Sequence, residues 1–415
     1  MNDFSDYIYS ELLNIPFDLI KIISNYIELN NDTKVAIVGG YIRDLLINKI
    51  HKEKFLKPID IDIITESPAI DLAKFIKKNI SNVDFCLIKE FDIYNTVELN
   101  INNLKIDIAT SRKEHYEAPG LNPIIKNANI KEDLKRRDFS INAIAFEISK
   151  KEIYDIFEGI KHIRKKELHL LHENSIQDDP SRIIRCARYA SRLGFKISNK
   201  SLLQSQRVVA IWPWAYIKDD NKVRFPPGIS IRIRMELSEI YKYDNLAKIV
   251  SLLNDWALIS ILNKNICVNN KFLRGLKWLK KLKGNYLLYL LKNSDNLEIA
   301  YQRFFINSKE KIFLEDYLKI THQLENEKEK FLYLTPSNWT EFIETENLDD
   351  ETVKLLICNG SLFWKPFFKW LFIYKFIKSK KSGELLKREG WQSGKEMGKE
   401  IKRLRYIEID QYRNN

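Results

Sequence analysis

The chain has 415 residues, 45% hydrophobic and 30% charged, which excludes a disordered or fibrous chain and implies several domains rather than one core. A formal net charge of +12 and a pI near 9.2 favour a polyanionic partner such as nucleic acid, although a Lys-, Asn- and Ile-rich composition also reflects genomic base bias. Cys86, Cys186, Cys267 and Cys358 lie far apart with no Cys-x-x-Cys pair, the N-terminus is acidic, and no apolar run is long enough for a bilayer, so the sequence reads as a cytoplasmic protein without structural zinc or a disulfide framework.

Residues 4–29 carry helical periodicity in two segments, with Pro16 near the start of the second. Val35 to Val38 then reads as a short apolar strand that breaks at Gly39-Gly40 and enters a helix through Ile42, Leu45 and Leu46. A glycine pair there lets backbone N–H groups approach a phosphate, and the helix N-terminus adds a favourable dipole. Arg43 on the first turn offers a charge-assisted fork to the same anion. Lys57-Pro-Ile-Asp-Ile-Asp-Ile63 reads as a strand with Asp60 and Asp62 on one face and isoleucines on the other. Two carboxylates on one strand face suit paired divalent cations that bridge a nucleotide's phosphates. Taken singly, these features also fit a tight turn and a solvated strand edge.

A helix is expected after Ser67-Pro68, then strands at 85–88 and 96–101, and a turn at Asn102-Asn103 into Leu104 to Ile108. That last strand makes Asp107 a candidate third carboxylate, equally readable as a solvated aspartate. Ser111 to Lys131, with His115, Pro119, Gly120 and Pro123, reads as a mobile loop. Arg136-Arg137-Asp138 reads as the start of an apolar helix (Phe139, Ile141, Ile144), able to bind a triphosphate and a ribose hydroxyl, or else to salt-bridge the helix start. After a strand and turn at 153–159, Asp178-Asp179-Pro180 opens a helix ended by Gly194, with Arg182, Arg185, Arg188 and Arg192 on one face and Ile183, Ile184 and Ala187 buried. Asp179 and Arg182, one turn apart, can present an acceptor and a donor to the edge of a base, while Arg185 and Arg188 reach phosphates. A plain basic helix on RNA would explain the arginines but not the Asp-Asp-Pro start.

From 200 onward, Trp212-Pro-Trp214 and Phe225-Pro-Pro-Gly228 mark an irregular connector before a helix over Arg232 to Ile240, and the pattern from Leu246 is helical. Basic-aromatic runs at Arg274 to Lys281 and Trp364 to Trp370 are candidate RNA contacts, or amphipathic helices with solvated lysines. Ser382 to Gly398 is punctuated by glycines.

The order Gly39-Gly40-x-x-Arg43-Asp44, Asp60-x-Asp62, Arg136-Arg137-Asp138-Phe139-Ser140-Ile141-Asn142-Ala143 and Asp178-Asp179-Pro180-x-Arg182 resembles the class II tRNA nucleotidyltransferases, the bacterial CCA-adding enzymes, together with the related bacterial poly(A) polymerases, over residues 34–197. The resemblance implies an α+β polymerase-beta-like nucleotidyltransferase head, a small mixed sheet with helices, followed by an all-helical neck, body and tail. The expected bounds are 1–30 for N-terminal helices on the head, 31–148 for the head, 149–244 for the neck, and 245–415 for the body and tail that bind tRNA. It further implies catalytic Mg2+ ions on Asp60 and Asp62, with Asp107 beside them, and a triphosphate contacted by Gly39, Gly40 and Arg43. Arg136, Arg137 and Asp138 would sit by ribose and phosphates, and Asp179 and Arg182 would select CTP or ATP, aided by Arg185 and Arg188. The implied reaction is nucleotide addition to the tRNA 3′ end with release of pyrophosphate and no obligate protein partner. The alternatives are a bacterial poly(A) polymerase and, of another class, a non-catalytic RNA-binding protein on the same fold. Asp178 stands where the family has glutamate, and Glu114 to Pro123 differs from the flexible loop of full CCA adders, which leaves CCA, CC or A addition open.

Overall fold

The computed structural model describes residues 2–30, 33–52, 60–81, 83, 86–91, 94–102, 104–117, 121–211, 217–219, 222–224 and 227–412. Lys57 to Ile59, Phe85, Asn103, Pro119, Gly120, Trp212 to Trp214, Phe225 and Pro226 of the sequence reading lie outside these residues. The chain divides into two compact units, Met1–Glu236 and Leu237–Asn415. Among the described residues no helix is long and apolar enough to cross a membrane.

Among the described residues the first unit has thirteen strands, of which the first nine are β1 (Val35–Val38), β2 (Asp60–Thr65), β3 (Cys86–Phe91), β4 (Thr96–Ile101), β5 (Leu104–Thr110), β6 (Arg112–His115), β7 (Ile124–Asn127), β8 (Ala145–Glu147) and β9 (Glu152–Tyr154). Seven form one mixed sheet in the order β3-β4-β5-β2-β1-β8-β9. β1 lies inside the sheet between β2 and β8, and its four residues are wholly buried, as a short run of Val, Ala and Ile without alternation requires. β2 alternates instead, with Ile61 and Ile63 buried against one side and Asp60 exposed and Asp62 half-buried on the other. The parallel pairing of β2 with β5 sets Asp62 directly opposite Asp107 and Asp60 opposite Lys105.

The Asp60/Asp62 side of the sheet is also the side on which Ala36, Val38 and Ile64 form a core with Ile130 and Leu134 of the helix Ile130–Lys135. Burying side chains of that size contributes about 1.5–3 kcal/mol each, enough to fix that helix over the strand ends. The helices Asn2–Leu13 and Leu19–Leu29 bury Ile8, Leu12, Ile20, Ile23 and Ile27, and the helix Gly40–His51 follows the β1 turn.

Two segments differ from their sequence reading. Ser111 to Lys131 is not a continuous loop: β6 and β7 pair antiparallel, Arg112 opposite Asn127 and His115 opposite Ile124. Arg-Lys-Glu-His has no apolar alternation to announce a strand; Arg112 and Glu114 take the half-buried side as an ion pair instead. Arg136-Arg137-Asp138 does not open an apolar helix either. It closes the helix Ile130–Lys135, and the chain then passes through extended Phe139, a single 3-10 turn at Ser140–Asn142 and strand β8. Phe139, Ile141 and Ile144 are buried, as their hydrophobicity demands, but from irregular backbone.

The second unit is helical. Its principal helices are Leu246–Asp255, Asn270–Leu282, Tyr286–Leu291, Leu297–Phe304, Ser308–Asn326, Pro336–Thr345, Asp350–Cys358, Trp364–Phe372 and Lys395–Gln411. The Asn-rich composition is put to use at their starts. The side chains of Asn245, Asn269, Asn285, Asn296 and Asn307 each accept a backbone N–H of the first turn, and Asn307 forms a reciprocal capping box with Glu310.

Candidate active site

A cavity of about 380 Å3 opens in the first unit where the β1 turn, the end of the helix Ile130–Lys135, the β6–β7 hairpin and two further helices, Ser181–Leu193 and Pro227–Tyr243, each contribute side chains. Gly39 and Gly40 form its floor beside Asp62. Gly39 caps the helix Gly40–His51 at φ +73°, a conformation that L side chains rarely adopt, and a Cβ there would lie 2.8 Å from Asp62 Oδ2. The first backbone N–H groups of that helix therefore face an open approach.

Six guanidinium groups line the cavity, those of Arg112, Arg136, Arg137, Arg182, Arg185 and Arg232, against four carboxylates, Asp62, Glu114, Asp138 and Asp179. The excess of positive charge suits an anion larger than a single carboxylate. Asp133, fully buried beneath them, accepts from Arg136 at 2.7 Å, from Arg137 at 3.2 Å and from the Arg112 N–H at 3.2 Å. Burial pushes the Asp133 carboxyl up, but Arg137 and Arg136 outweigh it and hold it below the usual carboxylate range. Glu114 accepts from Arg136 Nη1 at 3.0 Å and from Arg112 at 2.9 Å, and Tyr116 donates to its other oxygen at 3.1 Å.

Burial pushes the Asp62 carboxyl up as well; Arg137 opposes this, and Asp107 and Asp60 add to it, leaving it above its ordinary range. A carboxylate in that position gains from a nearby cation. The donor set of Asp60, Asp62 and Asp107 is all oxygen and matches a hard divalent ion. Asp107, although in register with Asp62, is paired at 2.9 Å with Lys105. Among the described residues no three acidic, His or Cys side chains already converge as a metal cluster. The pair Asp60 and Asp62 thus fits a divalent cation, with Asp107 able to join only by leaving Lys105.

Other expected residues take different places. Arg43 does not project toward an anion: it is buried, donating to Asp44 at 2.7 Å and to Asn142 at 2.8 Å, because on the first helical turn its side chain points back into the core rather than over the turn. Asn142 in turn donates to Asp138 Oδ1 at 3.0 Å, and Arg185 lies 3.4 Å from Asp138 Oδ2. Asp179 and Arg182 both line the cavity but do not pair with each other. Arg182 is buried and donates to Ser175 Oγ at 2.6 Å and to the Arg136 carbonyl at 2.8 Å. Asp179 accepts from the Ser181 N–H and hydroxyl just before its helix begins, and from Arg232 Nε at 3.2 Å. Arg185 and Arg188 share Glu236, at 3.2 and 3.3 Å. Asp60, Asp107, Arg43 and Arg188 stand outside the cavity lining.

The sequence reading missed Asp133, Glu114, Arg112, Tyr116, Tyr189, Arg232 and Glu236 as parts of this site. Asp133 carries a readable signal, three and four residues ahead of two arginines. Arg232 and Glu236 do not, since only the fold brings their helix beside Asp179 and Arg185.

Residues 35–169 match the poly A polymerase head domain family. An A-adding tRNA nucleotidyltransferase of Aquifex aeolicus (strain VF5) is 28% identical over 390 residues, 90% of this chain and 44% of that protein. A CC-adding tRNA nucleotidyltransferase of Deinococcus radiodurans is 31% identical over 43% of this chain and 46% of its own length. The chain thus spans less than half the length of these curated relatives. Among solved structures, a CCA-adding enzyme in its apo form II superposes with a TM-score of 0.74 at 24% identity, covering 97% of this chain and 94% of that one. The Thermotoga maritima CCA-adding enzyme complexed with tRNA superposes with a TM-score of 0.68 at 22% identity over 95% of this chain and 91% of that one. The head fold is therefore followed by the same helical architecture that those enzymes have.

Proposed function

We propose that the protein is a template-independent tRNA nucleotidyltransferase that transfers nucleotides from CTP or ATP to a tRNA 3′ end. The observation that carries this is Asp62 set against the left-handed Gly39 turn, at a helix N-terminus, inside a cavity with six arginines. The names of the relatives, A-adding and CC-adding tRNA nucleotidyltransferases, support the same reaction class.

In this reading the 3′-hydroxyl oxygen forms a bond to the α-phosphorus while the bond from that phosphorus to pyrophosphate breaks. Divalent cations on Asp60 and Asp62, with Asp107 beside them, would neutralise charge on the phosphates and lower the pKa of the attacking hydroxyl. The Gly39-Gly40 turn holds the triphosphate through backbone N–H groups, and Arg136 and Arg137, fixed from behind by Asp133, clamp it through charge-assisted bonds. Arg43 acts one step back, anchoring Asn142 and through it Asp138. Asp179, with Arg232 at its side, offers acceptor and donor to the edge of the incoming base, and Arg182 positions both Arg136 and its own helix. Tyr189 and Arg185 line the same cavity as Asp62.

The purified protein is incubated with tRNAs ending before the first C, after one C and after both, with CTP and ATP separately. Incorporation stopping at defined 3′ ends supports the proposal and states which of CCA, CC or A is added. Long A tracts on unrelated RNA would replace it with poly(A) synthesis, and RNA binding without incorporation would leave a non-catalytic protein. Asp62→Asn lowers incorporation by at least about a thousandfold, the several kcal/mol that a metal-neutralised transition state supplies.

A further inference from the structure

The second unit holds a cavity of about 740 Å3 that the head's chemistry leaves unused. It brings together the two basic-aromatic runs of the sequence, which lie some ninety residues apart. From the helix Asn270–Leu282 come Lys271, Arg274 and Trp278, spaced three and four apart on one exposed face. From the helix Trp364–Phe372 come Trp364, Lys365 and Phe368.

Three observations set this cavity apart. Its lining has three cations and no carboxylate, and among the described residues none of the three forms an ion pair, although lysines elsewhere in this unit pair repeatedly with Glu or Asp. Its rings form a connected set, Phe368 lying edge-on to Trp278 at 6.4 Å and to Trp364 at 6.2 Å, while Trp278 remains 46% exposed. The Ser361 hydroxyl on its wall is shielded from solvent and has no hydrogen-bond partner. Cations without a carboxylate partner beside partly exposed indoles, Trp278 with Lys281 5.0 Å over its ring and Trp364 with Lys365 6.0 Å over its ring, are the chemistry that holds a base and its phosphate together, the ring by stacking and the phosphate by charge. An acidic peptide would satisfy the cations but leave the rings exposed, and an apolar surface would do the reverse. The volume lies within the range of ligand pockets of nucleotide size.

We propose that this cavity holds an unstacked nucleotide, its base against Trp278, Trp364 and Phe368 and its phosphate on Lys271, Arg274 and Lys365. The site is separate from the transfer reaction proposed for the head and stands without it.

The full-length protein is irradiated with a single-stranded RNA carrying 5-iodocytidine and, in parallel, with free 5-iodocytidine triphosphate, and the cross-linked peptides are mapped. Label on Trp278 or Trp364 is expected. Label from the RNA only makes the occupant an unpaired residue of a strand, and label from both makes it any nucleotide. Trp278→Leu and Arg274→Gln each reduce labelling at the remaining indole by about tenfold, the loss of one stacking or charged contact. Asp62→Asn keeps the label, so a silent head and an empty second cavity are separate results. Cross-links confined to the head peptides of the wild-type protein, or labelling unchanged in Arg274→Gln, would overturn the assignment, and the wild-type map decides even if a variant fails to fold.

Discussion

Gly39 sits at φ +73° with its missing side chain aimed at Asp62. Gly39→Ala must therefore either push the carboxylate away or abandon the left-handed turn, at about 1–3 kcal/mol. Incorporation should fall together with the urea midpoint, whereas the same change at Gly390, where a Cβ meets nothing within 4 Å, should affect stability alone. Asp133 makes the opposite case, a residue no ligand reaches that fixes those a ligand does. Replacing it with Ala leaves Arg136 and Arg137 partly buried without their shared partner, which should destabilise the protein by about 3 kcal/mol and raise the KM for nucleotide more than it lowers kcat. Because the folded-state pKa of Asp133 lies below its unfolded value of 3.8, its stabilisation is present above pH 3.8 and lost as the pH falls further. Wild type should thus lose stability in acid more steeply than Asp133→Ala.

At the level of elements, the site is held by one short helix and several caps. The helix Ile130–Lys135 has six residues, too few to persist by propensity, and owes its position to Ile130 and Leu134 on the sheet. In the helical unit, Asn307 and Glu310 satisfy each other's backbone donors at the start of the 19-residue helix Ser308–Asn326. Asn307→Ala should cost about 1 kcal/mol in urea unfolding, and Asn307→Ser should recover most of it. The same composition that weakens the charge argument for nucleic acid, rich in Asn and Lys, thereby supplies helix starts.

Across the whole molecule, the two units have separate liabilities. In the second, Lys292 lies 3.9 Å over the Tyr289 ring and donates to Asn359 at 2.7 Å; burial first, and the charge of Lys271 second, lowers its pKa to about 7. Its unfolded value is 10.5, so between about pH 7 and 10.5 the unfolded chain holds a proton that the folded one does not. Stability from this group therefore rises with pH across that window and stays at its low value below about pH 7. Lys292→Met should flatten the dependence and raise the Tm near neutral pH, as followed by circular dichroism from about pH 6 to about pH 11, roughly one unit beyond the window at its lower end.

The sequence by itself determined the parts whose signal is local. A β1 run of Val, Ala and Ile must be buried, Gly39-Gly40 must turn, Asp60 and Asp62 must share a strand face, and the pattern of Ile183, Ile184 and Ala187 must face a core. The spacing of two carboxylates along one strand is fixed by the pleat before any partner arrives. What the tertiary structure decided is where long side chains end. Arg43 and Arg182 carry motif positions yet bond inward, Asp179 takes Arg232 from a helix some fifty residues on, and a polar strand at Arg112 to His115 forms because an ion pair replaces apolar alternation. A guanidinium several bonds from its backbone can settle on any acceptor the fold brings near, and periodicity along the chain carries no record of which one it will be.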